Sequence, residues 1–144
     1  MEGRSRPWTR WTVRLGPIQD LQLVATRIRA VTAGGGGIIV PTAIHDAYAS
    51  LRAETTNLKH LLLFADGDDA EEMPGCAATV AEAYREGITT SVVSLGRGVD
   101  TAELERLARE GHGRFYLVED ALRLPTVFAQ ETILASRASI REER

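Results

Sequence analysis

An acidic stretch directly follows an unbroken apolar run near the middle of this sequence. The run, residues 61–65, has no polar alternation and therefore predicts a strand buried on both faces of a parallel sheet. Ligands of such sheets bind beyond the carboxyl ends of the strands. We expect Asp66, the acid nearest to the strand, to lie at a binding site, whereas residues 68–72 are equally compatible with a solvated loop that leads into a helix. The five carboxylates, within seven residues, are Asp66, Asp68, Asp69, Glu71 and Glu72.

The same aspartate would suit a phosphoryl-transfer enzyme. The sequence "DGDDA" is close to the Asp-x-Asp-x-Thr/Val loop of haloacid-dehalogenase-like phosphatases, where one aspartate attacks and the other acts as acid and base. A receiver domain also ends a strand in a phospho-accepting aspartate. The first pattern departs at Ala70, and neither has a lysine after the aspartate, because Lys59 is the only lysine in the chain. Phosphoryl transfer through Asp66 therefore stays the alternative hypothesis.

The other residues that could do chemistry form no recognisable site. The glycine run in "AGGGGI" does not follow a predicted strand and lacks the lysine of a P-loop, so it predicts a tight loop. The three histidines, His45, His60 and His112, have no metal-binding spacing and are expected to be structural or exposed. A single cysteine, Cys76, excludes an internal disulfide and predicts a small helix residue that is partly buried.

The composition is that of one ordinary globular domain. A chain of 144 residues with 44% hydrophobic residues can bury a real core. Its formal net charge of -3 gives no general case for binding nucleic acid or an anionic membrane. No apolar stretch approaches the roughly 18 residues of a membrane span, and the start lacks the apolar centre of a signal peptide. We expect a soluble chain, cytoplasmic by default, with neither a nucleic-acid partner nor a membrane segment.

Hydrophobic periodicity predicts alternating strands and helices, hence an α/β fold with a parallel sheet and helices on both faces. We also expect Asp100 to cap a helix, with Glu103 in a capping box. The predicted strands are an edge strand at Trp8–Leu15 and strands at Lys59–Ala65, 88–96 and 114–118. The first two predicted helices are one from Pro17 to about Val31, with Ile18, Leu21, Ala25, Ile28 and Val31 inward, and one that opens at Val40-Pro41 or Thr42, with Ile44, Ala47, Tyr48 and Leu51 inward. The last three are a helix with Cys76, Val80, Ala83 and Tyr84 on one face, ended by Gly87; a helix with Leu104, Leu107 and Ala108 inward, ended by Gly111 and Gly113; and a helix from Pro125 to about Ser139 with Phe128 and Ala135 inward.

These patterns resemble the C-terminal half of a von Willebrand factor type A domain. The stretches "LKHLLLFADGDDAEE" and "REGITTSVVSLGRGVDTAELERLAREGHGRFYLVEDALRLPTVF" carry the resemblance, which runs from about Trp8 to Ser139. The sequence is similar in particular to bacterial domains related to aerotolerance operons, where a "GGGGI" loop precedes the same helix. The resemblance implies a three-layer, Rossmann-like, doubly wound and mostly parallel sheet, and a non-enzymatic module that binds a protein partner.

The same resemblance implies a metal-ion-dependent adhesion site, which usually holds Mg²⁺ in the complete domain. Asp66 in "FADG" matches the aspartate that follows the family's fourth strand. The chain has no Asp-x-Ser-x-Ser motif, and Gly37 or Ile38 stands where the family has its threonine. We therefore expect a degenerate or incomplete metal site and assign no cofactor to this chain. The residues implied to contact the partner are Gly36, Gly37, Asp66, Asp68 and Asp69.

The resemblance further implies that the first strands of the family fold are missing, because the sequence begins where the third strand would lie. We divide the chain into a basic N-terminal arm (1–7), a partial type A domain (8–139) and a charged C-terminal tail (140–144). Without the central first strand, its neighbours would lack backbone partners. We expect the strand at 8–15 to pair with that at 59–65 in a four-stranded sheet whose exposed edges are open to self-association.

Overall fold

Alternating strands and helices build an α/β fold. The computed structural model describes residues 9–32, 38–68, 70–71 and 73–142. Its elements in chain order are α1 (Leu21–Arg29), β1 (Ile38–Ile39), α2 (Val40–Arg52), β2 (Lys59–Asp66), β3 (Ala70–Glu71), α3 (Cys76–Arg85), β4 (Ile88–Leu95), α4 (Thr101–Glu110), β5 (His112–Val118), a short 3-10 turn (Ala121–Arg123) and α5 (Leu124–Glu142).

The main sheet consists of three parallel strands in the order β2-β4-β5. In its middle, Leu63 lies opposite Val92, which in turn lies opposite Phe115. The central strand β4 is buried along residues 90–94. Its neighbours are reached through α3 and α4, the helical crossovers that parallel strands require. A separate parallel pairing joins the two short strands β1 and β3.

Helices cover both faces of the sheet. On one face, α2, α3 and α4 pack against β4, and Tyr48, Leu104 and Val92 share this core. On the other face, Val127 of α5 packs with Val93 in a smaller cluster. The predicted three-layer, Rossmann-like arrangement is confirmed.

The face under α5 is covered only in part. Leu63 and Ala65 of β2 are buried on the opposite face, whereas Phe64 is 37% exposed. Phe64 stacks on Phe128 with 6.4 Å between the ring centroids. Phe128, predicted to point inward, is itself 54% exposed, and the buried stripe of α5 runs instead through Val127, Glu131 and Ala135. The prediction that β2 is fully buried on both faces is therefore too strong.

The predicted N-terminal strand is wrong for the described residues. Residues 9–15 form no strand, and Trp8 lies outside the described part of the chain. The side chain of Trp11 is covered locally by the guanidinium of Arg14, at 5.1 Å from the ring, rather than by a cross-strand neighbour. Residues with high strand propensity form a strand only where neighbouring strands pack against their side chains. The main sheet accordingly has three described strands, where the sequence predicted four.

Helix α1 exists where periodicity predicts it, but none of its residues is buried. It begins after Asp20, whose side chain accepts a hydrogen bond from the Leu23 N–H at 3.1 Å, and not at Pro17. Ala25 is half-buried, but the larger apolar residues predicted to face a core are exposed, including Leu21 at 70%. Exposed apolar surface of this kind is compatible with the self-association that the sequence predicts. Self-association itself stays a prediction.

The ends of the later helices agree with the sequence in most cases. Pro41 lies in the first turn of α2, and α3 is followed by Gly87, whose φ of 88° favours glycine. Asp100 is the N-cap residue of α4, but it makes no side-chain cap hydrogen bond, so the predicted capping box with Glu103 is wrong. Instead, the Thr101 hydroxyl accepts the Gly98 N–H at 2.8 Å.

Gly113 lies in β5 rather than ending α4, and it is required by close packing against β4. A Cβ atom at this position would lie 2.0 Å from the carbonyl oxygen of Thr90 and 2.5 Å from the hydroxyl oxygen of Ser91. The pairing of β4 with β5 is irregular between Thr90 and Val92, at the same point. The two strands approach here at a distance that only glycine permits.

We expect Gly113→Ala to lower the free energy of unfolding by about 2 to 3 kcal/mol, because the added methyl group must push two backbones apart. The matched control is Gly16→Ala, since a Cβ at Gly16 meets no atom within 4 Å. That variant should remain within about 0.5 kcal/mol of the parent protein. Urea unfolding of both variants measures the difference, and equal stability would contradict the close approach.

Polar side chains buried on β4 are paired with groups from several surrounding elements. Thr90 shares a 2.6 Å hydrogen bond with the hydroxyl of Tyr48 from α2. The Ser94 hydroxyl donates to the carbonyl oxygen of Gly96 at 2.8 Å, which holds the loop after the strand. Ser91 faces α5 and donates to Glu131. A buried hydroxyl without a partner costs free energy, so these pairs restrict where each neighbour can sit.

Glu131 of α5 is a buried carboxylate, only 1% exposed, at the centre of a polar cluster. Arg114 donates to its two oxygens from Nε and Nη2 at 2.6 and 3.0 Å, and the Tyr116 hydroxyl donates at 2.6 Å. Burial and the contact with Glu131 raise the pKa of Tyr116 to about 12, so Tyr116 remains a donor. The charge of Glu131 is therefore compensated on the sheet side.

His60 completes this cluster from β2. Its Nε2 lies 2.9 Å from Glu131, and its Nδ1 lies 2.7 Å from the hydroxyl of Thr89. Burial lowers the pKa of His60, although Glu131 opposes this. The arrangement fits a neutral imidazole that donates from Nε2 and accepts from Thr89. His60 is thus structural, as expected, but no sequence pattern indicated its partners.

We expect acid to weaken the attachment of α5 to the sheet. Burial raises the pKa of Glu131, but the hydrogen bonds from Arg114, Ser91 and Tyr116 outweigh it and hold that pKa below its ordinary value of 4.5. The pKa of His60 is below its ordinary 6.5. Both groups bind fewer protons in the folded protein, so the stability they supply is present above pH 6.5 and is lost as the pH falls through the two folded pKa values.

Thermal unfolding measured from pH 8 down to about pH 3 checks this dependence. His60→Gln should flatten the part of the curve just below pH 6.5, and Glu131→Gln the part below pH 4.5, the ordinary pKa values of the two groups. If the melting temperature of both variants depends on pH as that of the parent protein does, His60 and Glu131 are not the groups that cause the acid sensitivity.

Candidate functional site

Asp66 ends β2 at the carboxyl edge of the sheet, as the sequence predicts. Its Oδ1 accepts the backbone N–H of Asp68 at 2.9 Å, which closes a tight turn immediately after the strand. Asp66 is half-buried and Asp68 is exposed. An aspartate that accepts the N–H two residues on stabilises a turn through its own side chain. The two acids are therefore fixed relative to each other.

The loop after β4 packs on this turn. The Asp68 Oδ1 atom accepts the Val99 N–H at 3.1 Å, and the Asp100 N–H donates to the Gly67 carbonyl oxygen at 2.7 Å. A Cβ atom at Gly67 would lie 2.6 Å from the Gly96 carbonyl oxygen, so glycine permits this contact. We refer to residues 66–68 and 96–100 as the carboxyl-edge loops. They form one hydrogen-bonded unit.

Exposed apolar and acidic groups lie together at this edge. Val99 of the carboxyl-edge loops is 86% exposed. Leu122, in the turn that follows β5, is also 86% exposed. The carboxyl ends of neighbouring parallel strands meet at one edge, so the acids that follow β2 and β5 share it. Those described acids are Asp66, Asp68, Glu119 and Asp120.

The structure brings together part of the residue set implied for partner contact. Asp66 and Asp68 are adjacent, while Gly36, Gly37 and Asp69 lie outside the described residues. Ile38 and Ala70, which directly follow residues 33–37 and Asp69, pair through β1 and β3. Whether the full set forms one surface stays a prediction.

The loop after β4 contributes to this site, although no sequence pattern was assigned to it. A signal was available, because "GRG" at Gly96 to Gly98 follows a predicted strand of a parallel sheet. Such a loop must emerge at the same edge as Asp66. What the sequence could not give is the hydrogen bond from Val99 to Asp68, since it joins side chain and backbone across two loops.

The described carboxylates do not fit a magnesium ion. Mg²⁺ requires near-octahedral oxygen coordination, and proteins bind it through carboxylates together with water or substrate oxygens. Asp66 and Asp68 each already accept a backbone N–H. Within the described ranges, no group of three or more His, Cys, Asp or Glu residues could hold a metal ion. Thr42, which is late for the family's threonine, lies in the first turn of α2.

Comparison with known proteins decides the family. The sequence profile of the von Willebrand factor type A domain matches residues 6–130. The chain belongs to this family. Its structure is similar to the crystal structure of the conserved hypothetical protein BatB from Bacteroides thetaiotaomicron, with a TM-score of 0.62 and 15% sequence identity over 80% of this chain and 70% of that chain. At this identity, the likeness concerns the fold. Among curated proteins, none matches this chain in sequence.

Membership of the type A family places this chain among protein-interaction modules. The shared part is the Rossmann-like sheet with its helices, which positions loops at the carboxyl edge. In the ranges that the structure describes, no helix is both long and apolar enough to cross a membrane.

We expect magnesium titration of this type A domain by calorimetry to give only the heat of dilution, because the described carboxylates form no group that could hold a metal ion. The melting temperature should likewise not rise with added Mg²⁺. Asp66→Ala is the matched variant and should behave as the parent does. A binding isotherm in the parent that Asp66→Ala abolishes would show that the edge holds magnesium after all.

Proposed function

We propose that this chain binds a protein partner through the carboxyl-edge loops, without catalysis and without a metal ion at a complete adhesion site. The observation that carries the proposal is the locked pair of loops, in which Asp68 accepts the Val99 N–H. A loop that is already ordered loses little conformational entropy on binding. This bond fixes the backbone that carries the exposed side chain of Val99.

Charge indicates the chemistry of the partner. A metal ion at such a site would attract a carboxylate of the partner, whereas an edge without the ion attracts basic groups. Asp66, Asp68, Asp100, Glu119 and Asp120 outnumber Arg97 and Arg123 among the described charged residues that follow the strands here. We therefore infer a partner surface with lysine or arginine around an apolar depression that accepts Val99 or Leu122.

Phosphoryl transfer has less support. Lys59 lies at the amino end of β2, and Asp66 lies at the other end of the same strand. A lysine in that place cannot balance phosphate charge at Asp66, because an eight-residue strand is roughly 26 Å long. One oxygen of Asp66 is also used in the turn. Turnover of p-nitrophenyl phosphate that Asp66→Asn abolishes would favour the enzyme instead.

Photo-crosslinking in cells of the source organism tests the interaction. A photoreactive amino acid in place of Val99 should form an adduct with a partner protein, and the adduct should be lost when Asp66→Asn and Asp68→Asn are added. The matched control position is Ile133, an exposed apolar residue of α5 at 53% exposure. An equal adduct from both positions, or one that survives loss of both acids, would refute binding at this edge.

A further inference from the structure

A basic cavity lies at the amino edge of the sheet, opposite the carboxyl-edge loops. It has a volume of about 390 Å³ and is walled by the starts of β2, β4 and β5 together with the end of α3. None of the described residues that line it is acidic. Its basic lining residues are Lys59, His60, Arg85, His112 and Arg114. This concentration is unusual in a chain of net charge -3 whose only lysine is Lys59.

Nearby acids do not cancel this positive charge. Glu131 is compensated by Arg114, which uses Nε and Nη2 in the pair. Glu86 also interacts with the charge of Lys59, but it is held by Arg52 through two hydrogen bonds of 2.6 and 3.0 Å, so this pair is neutral as a whole. The carboxyl end of α3 contributes a partial negative charge of about half a unit, which is smaller than the charge of Arg85 in its last turn. Lys59 and Arg85 therefore leave a net positive field in the cavity.

One wall of the cavity is a flat pair of rings. His112 stacks on Tyr84 with 3.7 Å between the centroids and 11° between the planes. His112 is also the one non-glycine residue with positive φ, 53°, in the described part of the chain. Such a conformation costs energy and persists only where the surroundings impose it. The surrounding fold thus holds an aromatic surface beside the basic groups.

We propose that this cavity binds the phosphate group of a small phosphomonoester, with Lys59 and Arg85 contacting the phosphate and the Tyr84–His112 pair packing against the remainder of the ligand. A dianion matches two permanent cations, whereas a carboxylate would offset only one of them. The site lies at the opposite edge from the partner-binding loops and goes beyond the proposed function. Phosphate binding at the amino edge can therefore be present without partner binding at the carboxyl edge, and the reverse.

Titration of the ¹⁵N-labelled protein with ribose 5-phosphate, followed by NMR, tests the proposal. We expect saturable shifts of amides around the cavity. Lys59→Gln combined with Arg85→Gln should weaken binding by about tenfold or more, since two charge-assisted contacts are lost. The matched control, Arg97→Gln with Arg123→Gln, removes the same charge at the carboxyl edge and should stay within about twofold of the parent.

Further titrations distinguish a phosphomonoester from free phosphate and from a lipid headgroup as the ligand. Inorganic phosphate should bind more weakly than ribose 5-phosphate, because it cannot use the ring pair. His112→Asn should remove the preference for ribose 5-phosphate and retain the binding of inorganic phosphate, because asparagine tolerates the left-handed conformation. This variant tests the proposal even if the variant with both Lys59→Gln and Arg85→Gln fails to fold. Binding only to vesicles that contain phosphatidic acid, equal loss in the control variant, or no shifts at the cavity would each overturn the proposal.

Discussion

The buried hydroxyls of β4 are the constraint on which the rest of the structure depends. Thr90 and Ser91 point to opposite faces of the sheet, and each must find a hydrogen-bond partner where water is excluded. Tyr48 supplies it from α2 and Glu131 from α5. In the described part of the chain, every buried side-chain nitrogen or oxygen has a partner. The helices on both faces are thus positioned by polar contacts as well as by apolar packing.

The two faces of the sheet are held by different forces. The face under α2, α3 and α4 has a continuous apolar core, in which Leu104 and Leu107 are fully buried. The other face has a small apolar cluster beside the Glu131 contacts. A buried ion pair adds little net stability when compared with apolar packing, but loss of one partner is costly. The orientation of α5 is therefore specified mainly by Glu131 and sensitive to protonation.

The two edges of the sheet carry opposite charge. Acids follow the strands at the carboxyl edge, where Asp66 and Asp68 are locked by the loop after β4. Basic residues precede or begin the strands at the amino edge, where Lys59 and His112 lie. The length of the strands separates these two edges, so the charge at one edge is largely screened from the other.

The sequence by itself determined the α/β class, the family, the helices α2 to α5, the three strands of the main sheet and the place of Asp66, because these follow from local periodicity and ordered motifs. Only the tertiary structure decided whether an apolar pattern is buried: residues 9–15 form no strand and α1 has no buried residue, although both have the expected patterns. The contacts of Glu131 were likewise not predictable from the sequence, although an acid on the inward stripe of α5 was a signal that a buried carboxylate lies there. The partners of Glu131 lie on three strands, and the most distant of them, His60, is 71 residues away in the sequence. Such contacts exist only once the chain has folded.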